Sequence, residues 1–221
     1  MRAKGASGDL EQRFTEVYRK GLWGPQKSGP GSTIEATRSL RKEIGVFLEG
    51  LFPPKTTVTL IDAACGDMAW MPLLLQELVT EKDYKLRYVG VEVVKDLVEK
   101  NAETFKGSEG IEYSFLHRDL TMRPPPRGDV IFCKDLINHL VFDDIWCLLE
   151  GFNRSKSRFL LITSNEGRCN LQVDKMEGNA SRHLNLEASP FFLSRPLSSN
   201  GYLSLWPLPL DLAKKKIGKN R

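Results

Sequence analysis

Two carboxylates, Asp62 and Glu92, each stand at the end of a short apolar run: Val58, Leu60 and Ile61 precede the first, Val89, Gly90 and Val91 the second. An acid in that position is costly to bury unless something satisfies it. After Asp62 the chain passes through the small residues Ala63, Ala64, Cys65 and Gly66 to Asp67, and a new apolar phase follows. This succession predicts strand, tight turn and helix, with Asp67 as the N-cap. In an open parallel sheet, ligands bind outside the carboxyl ends of the strands, where a turn of small residues lets backbone come close. A carboxylate at the tip of the second strand can accept both ribose hydroxyls of a nucleoside cofactor. The plainer alternatives stay open: a salt bridge to Lys95 or a helix cap for Glu92, loop N–H groups for Asp62, an ordinary turn for Gly66.

Positioning these groups requires alternating strands and helices. Apolar residues at Leu10, Phe14, Val17, Tyr18 and Leu22 predict a helix over 10–22, packed on the domain's edge. A turn-rich loop over 25–33 (PQKSGPGST) leads to a helix over 34–51, capped by Ser32 or Thr33. Strand 57–62, helix 67–80, strand 86–92, helix 94–105, strand 111–116, strand 128–134, helix 142–152 and strand 158–164 follow. Such alternation argues a mostly parallel sheet with helices on both faces. Residues 167–181 read as a long loop or lid, and Leu184 to Trp206 supply two closing strands.

With 221 residues the chain suits one domain, here 10–210 with an N-terminal helical cap over 10–52. Residues 1–9 read as a flexible N-terminus and 211–221 as a basic tail. Apolar residues make up 41% and charged ones 27%, which excludes a disordered chain. The net charge of +4 comes partly from the tail Lys214, Lys215, Lys216, Lys219 and Arg221, a solvated end by its composition. Cys65, Cys133, Cys147 and Cys169 form no C-x-x-C pair and no metal-ligand spacing, so reduced thiols and a cytoplasmic location are expected. No signal peptide is apparent, and no run reaches the roughly 18 apolar residues of a membrane span.

Read in order and spacing, IDAACGDMAW, VGVEVV, HRDL and DVIFCKDLINHL resemble the class I S-adenosylmethionine-dependent methyltransferases. The family's alternating glycines fall on Ala64, Gly66 and Met68, of which Gly66 is kept. The fuller string, FTEVYRKGLWG, SGPGST, DAACGDMAWM, HLNLEASPFF and GYLSLW, is similar to a subgroup in which the other two glycines are commonly replaced; the likeness covers about Phe14 to Trp206.

The resemblance implies a single Rossmann-like domain, a mostly parallel seven-stranded sheet ending in an antiparallel edge hairpin, with S-adenosyl-L-methionine as cofactor. It puts Ser28, Gly29, Gly31 and Ser32 over the methionine end, beside Trp23, which reads equally as core anchor or pocket wall. It carries cofactor contacts onto Asp62, Ala63, Ala64, Cys65, Gly66 and Trp70, and onto Glu92, Val93, Lys134 and Asp135. Asp119 would accept from the adenine amino group while the Leu120 N–H meets a ring nitrogen; an Asx turn is the alternative for Asp119.

Methyl transfer from a sulfonium needs an aligned acceptor and removal of a proton that blocks its lone pair. His139, with an unperturbed pKa near 6.5, is the candidate base. Asp135 would bind the cofactor's amine or the acceptor, and Asn138 would orient either. His183 and Asn185 are candidates for the acceptor pocket. No metal is expected, because the acids already have cofactor roles.

The expected reaction is methylation of oxygen or nitrogen in a small molecule by a monomer or weak homo-oligomer. No Asn-Pro-Pro-Tyr-type motif follows the fourth strand, which disfavours nucleic acid. A non-catalytic scaffold on the same fold is the first rival. The second, an NAD-dependent oxidoreductase, should show G-x-G-x-x-G, which is missing.

Overall fold

The computed structural model describes residues 7–212 apart from 26 and 168. Seven strands form one sheet in the order β3-β2-β1-β4-β5-β7-β6. They are β1 (Thr57–Ala63), β2 (Lys85–Glu92), β3 (Ile111–His117), β4 (Val130–Cys133), β5 (Phe159–Thr163), β6 (Ser198–Ser199) and β7 (Leu203–Pro207). The first five run parallel, while β7 is antiparallel to both β5 and β6. The strand order reverses between β1 and β4, the switch point where an open α/β sheet leaves a crevice.

Successive strand residues point to opposite faces, so each strand feeds two cores. Ile61, Ala63, Val91, Ile131, Leu160 and Ile162 pack against α1 (Ser7–Lys20), α4 (Lys95–Thr104) and α5 (Phe142–Arg154) through residues such as Phe14, Leu97, Leu148 and Phe152. Val58, Leu60, Leu86, Val130, Phe132 and Leu161 pack against α2 (Arg38–Glu49) and α3 (Met71–Thr80) through Ile44, Leu48, Met71 and Leu74. Burial on both faces explains why these strands are almost continuously apolar.

Four expectations are corrected. Helix α3 starts at Met71, not at 67: Pro72 in its first turn presets helical φ, its N-cap is Trp70, and no side chain caps it. Asp67 instead accepts hydrogen bonds from the Ala69 N–H (3.2 Å) and the Ser28 hydroxyl (2.6 Å). Helix α2 starts at Arg38, not at 34, without a cap from Ser32 or Thr33. Thr33 Oγ1 accepts from the Ala36 N–H in a preceding turn, and buried Arg41 holds that turn through the Ile34 carbonyl and the Thr37 hydroxyl while pairing with Glu77. Helix α1 begins at Ser7, so residues 7–9 are its first turn; the flexible stretch expected over 1–6 and most of the basic tail lie outside the described residues. Nor is α1 an edge element, since Leu10 and Phe14 join the core with Val91, Leu120, Ile137 and Leu140.

Residues 164–197 contain no helix or strand among those described. Arg13 on α1 fastens this stretch, donating to the carbonyls of Met176 and His139 (both 2.7 Å). No helix among the described residues is long and apolar enough to cross a membrane.

Gly90 sits where β2 is tightest: a Cβ there would lie 2.7 Å from the Phe115 ring and 2.9 Å from Cys65 Sγ. Its φ is ordinary for any residue, so the constraint is purely steric. Gly90→Ala is expected to lower unfolding free energy by about 1 to 3 kcal/mol, the usual cost of overpacking, as measured by urea denaturation.

Candidate active site

Above the carboxyl ends of β1, β2 and β4 lies a cavity of about 540 Å³, within the roughly 300 to 1,000 Å³ typical of ligand sites. Its walls come from α1, the 28–32 loop, the three strand ends and the irregular 165–183 stretch.

The β1–α3 turn forms one wall. Gly66 is left-handed (φ +57°), and a Cβ on it would come within 2.8 Å of Tyr18 Oη and 3.2 Å of Ser28 Oγ, so close approach as well as conformation requires glycine. Its carbonyl accepts from Asn101 Nδ2 (2.8 Å) on α4, and its N–H donates to Glu92 Oε2 (3.0 Å). Glu92 Oε1 accepts from the N–H groups of Val93 (2.8 Å) and Val94 (3.0 Å). Lys95 pairs with Glu99, not with Glu92. Thus three backbone donors hold the carboxylate, and it also faces the cavity.

Asp62, 3% exposed, accepts from Tyr88 Oη at 2.6 Å. Burial raises its pKa to about 7, assisted by the Glu92 charge and opposed by the Tyr88 hydrogen bond and by Lys134. Burial also raises Glu92, while its three backbone N–H groups pull it back toward ionisation.

The 28–32 loop covers this wall. Ser28 Oγ donates a hydrogen bond to Asp67 and lies 3.2 Å from Tyr18 Oη, which is then the donor in that contact. Gly29 (φ +85°) packs on Trp23, and Pro30–Ser32 form a 3-10 turn. Lys134 Nζ reaches toward Gly31 and pairs with Asp135 Oδ2 at 2.6 Å.

Asp135, left-handed at φ +60°, follows β4 two residues after its end. Its Oδ1 accepts from Tyr202 Oη (2.7 Å) and Asn138 Nδ2 (3.2 Å), so both oxygens are engaged. That orientation of the Asn138 amide leaves its buried Oδ1 without a partner among the described residues. His139 Nδ1 lies 2.8 Å from the Ala180 carbonyl, which only accepts; the ring therefore donates from Nδ1, and in the neutral form Nε2 keeps its lone pair. Burial lowers the His139 pKa, against an opposing effect of that hydrogen bond. Trp23 and Phe14 flank the ring, with centroids at 5.4 and 6.2 Å.

Of the residues singled out from sequence, Trp23, Ser28, Gly29, Gly31, Ser32, Asp62, Ala64, Cys65, Gly66, Trp70, Glu92, Val93, Lys134, Asp135, Asn138, His139 and His183 line this one cavity. Ala63 lies in the core at the end of β1, and Asn185 lines a separate cleft. Asp119 and Leu120 line a small void of about 30 Å³ under Leu10 and Phe14; Phe14, Ala64, Val93 and Leu136 belong to both hollows. Asp119 Oδ1 makes the Asx turn, accepting from the Thr121 N–H and hydroxyl, whereas its buried Oδ2 has no partner among the described residues.

Sequence reasoning missed Tyr18, Tyr88, Asn101, Ala180 and Tyr202. Asn101 left a signal: it interrupts the helical stripe of Leu97 and Val98, a buried polar residue in need of a partner.

No protein-family model and no curated protein matches this sequence. Solved structures do. At a TM-score of 0.61 and 13% identity, 94% of this chain aligns with 91% of 1,6-didemethyltoxoflavin-N1-methyltransferase from Burkholderia thailandensis, solved with 1,6-didemethyltoxoflavin and S-adenosylhomocysteine. At 0.58 and 14%, 93% aligns with 97% of magnesium protoporphyrin IX methyltransferase from Synechocystis PCC 6803, solved with S-adenosylmethionine. The chain therefore has the Rossmann-like fold of class I methyltransferases.

The raised pKa of Asp62 has a measurable consequence. Between about pH 4 and 7 the native carboxyl holds a proton that the unfolded one has released, so its contribution to stability is present at low pH and lost as pH rises through 7. Across that window Asp62→Asn is expected to reduce the fall in unfolding free energy by up to about 1.4 kcal/mol per pH unit. Urea unfolding of the ligand-free protein at several pH values measures the difference.

Proposed function

We propose that the protein is an S-adenosylmethionine-dependent methyltransferase acting on oxygen or nitrogen of a small molecule, in the motif subgroup that its sequence resembles. The observation that carries this reading is the meeting of Asp62, Gly66 and Glu92 in one cavity, with the partnerless Asp119 Oδ2 behind a shared wall. The cofactor and the small acceptor bound in the similar toxoflavin enzyme support it.

In this reading Glu92 accepts the ribose hydroxyls with lone pairs that its three amides leave free, and Asp119 Oδ2 accepts from the adenine amino group. Adenine enters as Leu10 and Phe14 of α1 give way, since the present void is far smaller than a base. The 28–32 loop and Lys134 hold the methionine end. The sulfonium methyl is electrophilic when bound, and His139 Nε2 takes the acceptor's proton. Trp23 and Phe14 exclude water from that ring.

Calorimetric titration tests the class: S-adenosylmethionine and S-adenosylhomocysteine should give heat and NAD none, and equal binding by NAD would overturn the reading. Glu92→Ala should weaken cofactor binding by about 1 to 3 kcal/mol. His139→Gln should keep cofactor affinity and reduce turnover by about 10²- to 10⁴-fold, the range for a general base. Because the imidazolium is inactive and burial lowers its pKa, the wild-type acid limb should fall below pH 6.5 and be absent from the variant; a variant with full turnover and the same limb would remove His139 from the role.

A further inference from the structure

A second hollow, a cleft of about 400 Å³, opens beside the first at the β7–β6 edge of the sheet. The wall between them consists of two segments joined by hydrogen bonds: the Asn165 N–H donates to the Leu184 carbonyl (2.7 Å), and the Leu184 N–H donates to Asn165 Oδ1 (3.3 Å). Along this wall residues divide between the two sides, with His183 lining the main cavity and Ser164 and Asn185 lining the cleft. Asn165 alone lines both. Its Oδ1 is occupied, while its Nδ2 donors have no partner among the described residues.

The chemistry of the cleft differs sharply from that of the cavity. Pro196 and Leu197 are its only apolar side chains; the rest are hydroxyls, amides and the charged groups of Glu166, Glu187 and Arg195. None of those three is in an ion pair with any described residue, so their hydrogen-bonding capacity is open to a ligand. An apolar group entering here would strip water from charges without replacing its bonds. A polyanion would meet two carboxylates. A sugar ring offers neighbouring hydroxyls that each donate and accept, matching carboxylate acceptors interleaved with amide and guanidinium donors.

We propose that this cleft holds a neutral glycosyl unit of the methyl acceptor, with Asn165, which lines both hollows, bonding it through Nδ2. The inference rests on the methyltransferase reading only in calling that ligand the acceptor. Its site and ligand class stand on the cleft itself.

Saturation-transfer NMR on the full chain with excess S-adenosylhomocysteine tests it, using methyl glycosides of glucose, galactose, mannose and N-acetylglucosamine, with methyl glucuronide as the anionic control. At least one neutral glycoside should receive saturation. Its affinity should drop at least tenfold in Glu187→Ala and Arg195→Ala, both exposed positions, while calorimetry shows S-adenosylhomocysteine binding unchanged in each. No transfer to any neutral glycoside, transfer to the glucuronide alone, or equal binding by both variants would overturn the proposal, even with cofactor binding intact. Failure of S-adenosylhomocysteine to bind the wild type would instead strike the methyltransferase reading, and glycoside binding would still be scored separately.

Discussion

The structure of this site depends on a carboxylate held by backbone. Glu92, only 4% exposed, collects N–H groups from Gly66, Val93 and Val94, joining the turn after β1 to the tip of β2 and the start of α4. The left-handed turn at Gly66 takes its N–H out of the strand ladder, and that donor needs an acceptor when buried. Glu92 satisfies it, and the donors in turn offset part of the desolvation of the charge. Asp62 shares the same buried space with one hydroxyl donor in place of three amides, so it titrates near neutrality. Burial raises both acids, and Asp62, with the single donor, is raised to about 7. Under the proposed reading, a cofactor carrying an ammonium and a sulfonium would complete this charge arrangement.

The architecture was largely legible because the strands carry a two-sided signal. Residues such as Leu60 and Ile61, or Leu161 and Ile162, are adjacent yet belong to opposite cores, and only a sheet covered on both faces demands both. Helix starts were less legible. Asp67 has the composition of an N-cap, but Ser28, far away in sequence, claims its carboxylate, and Pro72 sets the helix start. Thr33 likewise closes a turn that buried Arg41 stabilises from within α2. These boundaries were decided by tertiary partners that local sequence does not name.

The same division runs through the site. Asp62, Gly66 and Glu92 were readable because chemistry, strand ends and small residues coincide within short stretches. Tyr18, Ala180 and Tyr202 were not, since each reaches the site from a distant segment, and Ala180 acts only through its carbonyl. The reading of Glu92 was incomplete for a related reason. Ribose hydroxyls, Lys95 and a helix cap were the partners expected for this acid, whereas the N–H groups of Gly66, Val93 and Val94 hold it.

His139 was expected to act as the base and Asp135 to bind the cofactor's amine or the acceptor, and their surroundings differ accordingly. A base needs a lone pair that the protein has not already used. Asp135 is bonded to Lys134, Tyr202 and Asn138, and its left-handed backbone is braced by its own N–H on Thr163 Oγ1. That makes it a clasp joining the end of the β4 segment to β5 and to the residue before β7, with both carboxylate oxygens engaged. His139 has one nitrogen committed as a donor to Ala180 and the other uncommitted, and burial favours the neutral ring. The carbonyl that fixes its tautomer belongs to the irregular 164–197 stretch, and Arg13 binds both that stretch and the His139 backbone. The proposed base is therefore oriented by the same stretch that walls the cavity.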